Sequence, residues 1–361
     1  MGAANIIDIN DLLKREEMHT VLYFNYDNEA FMNTGIQESG STPFACSTTT
    51  GPGGEEIKGK IGVKQDILNP FGFLGTKSSF LATTSIAYPK DFIGKVIEAM
   101  KTPGGGFIQC LAPCPRGWRH QGFESHKIAK LATDSGYWPL ITVRIKDGIP
   151  KWSYSRPLKF KRDKFMDFLK SMGKYKHLFK PKFEELLINE VINQAEARLV
   201  NMQKLVDNFG AENPMDVYKV NLKELKPQTH VAPGYGLCPG CGAGTALHML
   251  ASGATQVAGN NILYVNNTCC VEVATSKDEL TSWKVSWMHH LFESGATVAD
   301  ALATSYRIQK YKGIVDKVPY CIHIAGDGST YDIGYQFLKS ALVRSSSFDI
   351  QNKYCKDNYC E

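Results

Sequence analysis

The sequence predicts an α/β fold built on a doubly wound, mostly parallel sheet with helices on both faces. Three observations carry that expectation. Short β-branched or aromatic runs alternate with helix-period stretches along the chain, the rhythm of a parallel sheet with crossover helices. Four of the apolar runs end in loops rich in chemically useful residues, as strands in open α/β sheets do at their carboxyl ends. The composition of the 361 residues, 43% hydrophobic and 21% charged, is globular and excludes a disordered, collagen-like or coiled-coil chain. A net charge of +5 is too mild to argue for nucleic acid.

Taken in order, residues 20–26 (Thr-Val-Leu-Tyr-Phe-Asn-Tyr) read as a buried strand ending at Asp27-Asn28. Residues 27–57 are polar and aperiodic, and a loop of that length in a compact domain is usually functional. Residues 79–87 are mixed and apolar, and Pro89 opens a helix over about 90–101. A strand at 107–111 runs into Ala112-Pro113-Cys114-Pro115, followed by a helix near 124–135 and a strand near 138–145. Residues 151–182 hold eleven Lys or Arg and two acids, which reads as a solvated surface arm. An amphipathic helix is expected over 183–207. A second block begins near Met215. It carries a glycine-rich loop to Cys241, a helix at about 244–252, and a strand from Asn261 that ends at Asn266-Asn267-Thr268-Cys269-Cys270. A helix at 293–310, a strand from Tyr320 to Gly326-Asp327-Gly328, and a helix at 332–343 complete the pattern.

The strand-end loops should meet on one edge of the sheet. Asp327 between two glycines offers a carboxylate for a divalent cation, with backbone free to approach a phosphate. By itself such a triplet is also a tight turn. Asn28, at the end of another buried strand, adds an amide oxygen suited to the same octahedral Mg²⁺ shell. Cys238-Pro-Gly-Cys241 could bind zinc, exchange disulfides or hold a cluster. Cys114 and Cys270 lie at strand ends and could complete a set of four thiolates. About half of the ten cysteines read as small buried hydrophobes. His289-His290 reads as packed neutral imidazole more readily than as a metal pair. The sequence has no HExxH, no Gly-x-Ser-x-Gly elbow and no GxxxxGK[ST] loop. No apolar run spans a membrane and the N-terminus lacks a secretory or myristoylation pattern, so a cytoplasmic protein is expected.

Six separated motifs resemble the β subunit of pyruvate:ferredoxin oxidoreductase, across roughly residues 16–200 and 219–344. They are Gly-Leu-Cys238-Pro-Gly-Cys241-Gly-Ala, Asn267-Thr-Cys-Cys270-Val-Glu-Val, Ser282-Trp-Lys-Val-Ser-Trp-Met-His, Gly326-Asp-Gly-Ser-Thr-Tyr-Asp-Ile-Gly, Asp27-Asn-Glu-Ala-Phe-Met-Asn33-Thr-Gly and Leu111-Ala-Pro-Cys114-Pro-Arg-Gly-Trp. The resemblance implies a thiamine diphosphate-binding fold of the diphosphate type. Asp327 and Asn28 would bind Mg²⁺ through their side chains and Ala30 through its carbonyl. Gly326 and Gly328 would line the diphosphate, and Asn33 would face cofactor and substrate in a catalytic role. Cys238, Cys241, Cys270 and Cys114 would hold one [4Fe–4S] cluster. Cys269 stands where the family usually has glycine, so either member of the Cys269-Cys270 pair could be the ligand. The implied reaction oxidises pyruvate with coenzyme A and ferredoxin to acetyl-CoA, CO₂ and reduced ferredoxin. A related enzyme for another 2-oxo acid, a non-oxidative thiamine diphosphate decarboxylase and a zinc-stabilised binding module stay open. The family also implies α, γ and δ subunits, with the cofactor-activating glutamate on α. The chain alone should then be inactive.

One departure concerns order. In the family the Gly-Asp-Gly block precedes the Asn block by about thirty residues, whereas here Asn28 lies near the start and Asp327 near the end. The chain reads as circularly permuted, or as the product of a mis-assembled gene. On the permuted reading residues 1–15 are an N-terminal extension, 16–210 the C-terminal half of the cofactor domain, 211–344 its N-terminal half, and 345–361 a disordered tail.

Overall fold

The computed structural model describes residues 19–74, 78–215, 220–277 and 281–344. The expected extension at 1–15 and tail at 345–361 lie outside the described residues, as do Cys355 and Cys360. The strands are β1 (His19–Asp27), β2 (Ser78–Ser85), β3 (Gly104–Leu111), β4 (Ile141–Lys146), β5 (Ile149–Tyr154), β6 (Gly210–Met215), β7 (Ile262–Asn267), β8 (Ser286–His290) and β9 (Tyr320–Gly326). They form one sheet in the order β6-β5-β4-β2-β3-β1-β9-β7-β8. Only the β2–β4 and β4–β5 pairings are antiparallel. The α/β, mostly parallel architecture expected from the sequence is therefore observed.

β1 shows why the sheet is covered twice. Its side chains alternate between faces. Leu22, Phe24 and Tyr26 join a core with Phe92 and Val96 of the helix Pro89–Lys101 and Leu247 and Leu250 of the helix Gly242–Ala258. Val21 and Tyr23 join the opposite core, with Ala296 and Ala299 of the helix Gly295–Tyr311 and with Leu338, Ala341 and Leu342 of the helix over 335–344. Gly253 lets the first two helices approach closely, because a Cβ there would stand 2.7 Å from Val96 Cγ1.

The segment 151–182 is not the solvated arm its charge suggests. It forms β5, the helix Arg162–Lys170 and a 3₁₀ turn over Gly173–Leu178. Phe165, Phe168, Leu169, Met172, Tyr175 and Leu178 are buried in a third core together with Ile188, Val191 and Ile192 of the helix Glu185–Phe209. The lysines lie between these apolar positions, so counting charge hid a periodic buried face. One of them, Lys174, is itself buried. Among the described residues no helix is long and apolar enough to cross a membrane.

Candidate functional site

β1, β3, β7 and β9 run parallel, so their carboxyl ends emerge on one edge. β1 lies between β3 and β9, with Tyr26 opposite Gly326 and Asp27 opposite Leu111. β7 flanks β9 on its other side. The loops bearing Asn28, Cys114, Cys269-Cys270 and Asp327 thus meet, as the alternation of strands and helices predicts.

At the centre of this edge, one terminal atom of the Asn28 amide lies 2.8 Å from Asp327 Oδ1 and 2.9 Å from the Ala30 carbonyl. If that atom is nitrogen, it donates to both oxygens. If it is oxygen, three oxygens stand at the spacing of an octahedral edge: Mg–O bonds of about 2.0–2.1 Å place adjacent ligands ~2.9 Å apart. Either way the three expected cation ligands converge. Glu29, between two of them, has φ 66°, which turns the chain so that both neighbours face the same point.

Asp327 is 2% exposed and accepts from Ser39 Oγ and, at 3.2 Å, from Ser41 Oγ. Burial, and then the nearby Asp27 charge, push its carboxyl well above the usual range. A bound cation would compensate that electrostatic cost.

Beneath Asp327 lies a buried polar network that the sequence analysis did not identify. Asp27 accepts from Ser41 Oγ at 2.7 Å, the Glu29 amide at 3.0 Å, Gln109 Nε2 at 2.9 Å and Lys64 Nζ at 3.0 Å. Lys64 also stands 3.2 Å from Glu29 Oε1 and donates to the Ser41 carbonyl at 2.7 Å. Glu29 pairs with Lys174 and accepts from the Tyr137 hydroxyl. Burial pushes Glu29 up, but Lys174 and Lys64, with hydrogen bonds from Lys174 and Tyr137, outweigh it and hold the carboxyl at about 2. The one advance signal was the long polar loop after β1, which supplies Ser39 and Ser41.

Gly326 and Gly328 differ. A Cβ on Gly328 would overlap the Phe31 ring, whereas one on Gly326 would make ordinary contacts, nearest Tyr26 Oη at 3.5 Å. Gly328 opens a π-helical turn to Asp332, with Thr330 Oγ1 bonded to the Gly326 carbonyl at 2.8 Å. The expected helix therefore begins later, at 335. The cleft bordered by Asn28, Ala30, Phe31, Gly326, Asp327 and Gly328 has a volume of about 30 Å³, room for about one water. Asn33 is exposed on its rim. Phe31 lies edge-to-face on Phe292, with centroids 6.4 Å apart, and fills the space above Gly328.

The thiols gather on the neighbouring side. The Cys238–Cys241 turn packs on the β3 loop: the Gly242 amide bonds the Pro113 carbonyl at 2.9 Å, and Ser125 Oγ bonds the Gly240 carbonyl. Cys241 caps the helix Gly242–Ala258, but a loop rather than a strand precedes it, unlike a thioredoxin-type motif. Cys114 caps the short helix Pro115–Trp118, its Sγ accepting from the Gly117 amide at 3.4 Å. Burial pushes the Cys114 thiol up to about 11, against that amide. Burial also raises Cys241, and raises Cys270 further with the charges of Cys269, Cys114, Cys241 and Asp327. Cys114 is buried, Cys241 and Cys270 are partly buried, and Cys238 is exposed. Among the described residues no three His, Cys, Asp or Glu side chains converge on a single-ion site. Cys269 is buried, its Sγ 3.6 Å from a terminal atom of the Asn266 amide.

Trp118 links the two sides. Its backbone amide bonds the Cys114 carbonyl at 2.9 Å, and its indole Nε1 donates to the Asn28 carbonyl at 2.7 Å. The Lys174 ammonium sits 3.7 Å from its ring centroid. His289 and His290 lie on edge strand β8, away from these contacts, against Glu272 Oε1 at 3.3 Å and Ser294 Oγ at 2.8 Å.

No family model matches the chain. Among curated relatives it is 38% identical over 195 residues to ketoisovalerate oxidoreductase subunit VorB of Pyrococcus horikoshii, covering 54% of this chain and 60% of that protein. It is 40% identical over 163 residues to pyruvate synthase subunit PorB of Methanocaldococcus jannaschii, covering 45% and 52%. With PorB of Thermotoga maritima the identity is 35% over 193 residues, covering 53% and 57%. The chain thus spans between half and three fifths of the length of these relatives. The resemblance read from the motifs is borne out by proteins that carry 2-oxoacid oxidoreductase subunit names.

Proposed function

We propose that the chain is the β-type subunit of a 2-oxoacid:ferredoxin oxidoreductase, taking pyruvate or a related 2-oxo acid and working with α, γ and δ partners, coenzyme A and ferredoxin. The observation that carries the proposal is the convergence of Asn28, Asp327 and the Ala30 carbonyl beside the loops that carry Cys114, Cys241 and Cys270.

On this reading Asp327, Asn28 and Ala30 hold Mg²⁺ and, through it, the diphosphate of thiamine diphosphate. The Ser39 and Ser41 hydroxyls orient the Asp327 carboxylate, and the Lys64-centred network keeps its floor rigid. Phe31 must leave Gly328 for a diphosphate to lie against that glycine. Asn33, on the rim, faces whatever occupies the cleft. Cys114, Cys238, Cys241 and Cys270 hold a [4Fe–4S] cluster. Cys270 suits this better than Cys269, because it is partly exposed whereas Cys269 is buried against Asn266. A [4Fe–4S] cluster takes four cysteine thiolates, the number these four positions supply. When bound, thiamine diphosphate supplies the electron sink for decarboxylation, and the cluster a one-electron path outward.

The permuted order is part of the proposal. β9 and β1 are parallel neighbours, and the helix over 335–344 shares a core with Val21 and Tyr23. A β9–helix–β1 crossover is the connection the unpermuted order would make. It joins segments 16–210 and 211–344 as two halves of one sheet.

The test has two arms. Anaerobically purified chain should carry iron and sulfide and show visible absorption bleached by dithionite. Cys238→Ser should abolish that absorption while sparing Mg²⁺-dependent thiamine diphosphate binding, and Asp327→Ala should do the reverse. A colourless, zinc-bearing protein defeats the cluster assignment, and loss of both cofactors in both variants defeats the two-site arrangement. Turnover of the assembled complex on pyruvate and 3-methyl-2-oxobutanoate then identifies the substrate.

A further inference from the structure

One lysine of the basic segment 151–182 is out of place on a surface. Lys174 lies in the 3₁₀ turn Gly173–Leu178 and is 1% exposed. Burying an ammonium is costly unless its contacts repay the lost water. Its Nζ pairs with the Glu29 carboxylate, and the same ammonium stands 3.7 Å from the centroid of the Trp118 ring. The turn reaches this place because Gly173 packs on Arg119, the residue after Trp118. The Gly173 amide bonds the Arg119 carbonyl at 3.1 Å, and a Cβ on Gly173 would lie 2.6 Å from Arg119 Cβ.

Both contacts of the ammonium lead to one peptide bond. The Asn28 carbonyl accepts from the Trp118 indole Nε1 at 2.7 Å, and the Glu29 amide donates to Asp27 Oδ1 at 3.0 Å. Glu29 occupies the left-handed region, φ 66°, which a residue bearing a Cβ keeps only where its surroundings over-determine it. Here they do. Thr42 Oγ1 donates to the Glu29 carbonyl at 2.7 Å, Lys64 stands 3.2 Å from Oε1, the Tyr137 hydroxyl donates to Oε1, and Lys174 takes Oε2. That backbone turn directs Asn28 and Ala30 at the same point, with a terminal atom of the Asn28 amide 2.9 Å from the Ala30 carbonyl.

We propose that Lys174 is a positioning residue for the cation cleft, holding the Asn28–Glu29 peptide from two sides. An ammonium has no lone pair for a metal, so Lys174 acts through Glu29 and Trp118 rather than as a ligand. The inference rests on the reading of Asn28, Ala30 and Asp327 as cation ligands, and it adds a residue 145 positions from Glu29 to that site. Without the ammonium, the Glu29 carboxylate loses one anchor and the Trp118 ring loses its cap. Residue 29 then relaxes toward negative φ, which turns Asn28 and Ala30 away from their common point. Methionine at 174 keeps the length of the side chain and removes both contacts. Arginine keeps the charge, pairs with carboxylates and stacks on aromatic rings, so it can serve both.

Two readouts on the full chain separate positioning from mere stability. Hydrogen exchange of the Trp118 indole N–H, followed by NMR in the ligand-free chain, reports the bond to the Asn28 carbonyl. Isothermal titration of the folded chain with thiamine diphosphate in Mg²⁺ reports the cleft. Lys174→Met should speed the indole exchange at least tenfold and weaken thiamine diphosphate binding at least tenfold. Lys174→Arg should stay within about threefold of the parent on both. If Lys174→Met does not fold, the double variant Glu29→Gln/Lys174→Met, which strands no carboxylate, takes its place with the same expectations. A methionine variant that folds less stably but matches the parent in affinity or in indole exchange overturns the proposal, and so does an arginine variant as weak as the methionine one. A parent chain that binds no thiamine diphosphate defeats the cation reading instead, and the indole exchange alone then decides whether Lys174 locks the peptide.

Discussion

Asp27 and Asp327 end neighbouring parallel strands and are equally buried, yet their surroundings differ. Asp27 has a full complement of donors from Ser41, Gln109, Lys64 and the Glu29 amide. Asp327 has two serine hydroxyls, the Asn28 amide and, among the described residues, no cation in contact. The first carboxylate is a finished structural part, and the second is the one proposed to take a cation. The thiols continue the contrast: burial raises Cys114, Cys241 and Cys270, and among the described residues no buried ammonium contacts them. Saturated polar groups make the floor of this edge, and the less satisfied ones are the candidates for ligand contact.

The sharpest way to break this contrast is to remove the floor. Lys64→Met strands Asp27 and Glu29 without a shared cation and should cost about 3–5 kcal/mol, read from denaturant unfolding. A cost near zero would mean that the floor is not saturated as described. Next comes Gly328→Ala, whose new methyl group collides with Phe31 and should cost about 1–3 kcal/mol. Asp327→Asn should act in the opposite sense on the two readouts. Removing a charge that burial disfavours leaves the ligand-free unfolding midpoint unchanged or higher, while thiamine diphosphate affinity in Mg²⁺ falls about tenfold or more, roughly 1.4 kcal/mol. A lowered midpoint would place Asp327 with Asp27 as a structural group. The smallest effect is Gly326→Ala, expected within about 0.5 kcal/mol of the parent because its nearest contacts are ordinary.

Much of the frame was legible because periodicity is local. The strand at 20–26 and the helices after Pro89 and near 183–207 fall close to where apolar spacing puts them. The strand-end loops named Asn28, Cys114, Cys270 and Asp327 because parallel topology forces such ends together. The β4–β5 hairpin was missed although its signal was present: Asp147-Gly148, with φ 52° and 78°, joins two β-rich runs. Lys64 and Lys174 were not legible at all. Their partners lie 37 and 145 positions away, and nothing in a lysine's neighbourhood in sequence announces that it will be buried. Lys174 was hidden further by the charge of its segment, where the phenylalanines at 165 and 168 carried the information.

Trp118 gives the molecule a built-in optical gauge. The same indole is fastened to the backbone carbonyl of a cation ligand, to the turn that Cys114 caps and to the ammonium that restrains Glu29. Its emission should therefore shift when the cleft fills and dim when an iron-bearing chromophore assembles nearby, so that one fluorophore records the loading of both halves in a single titration.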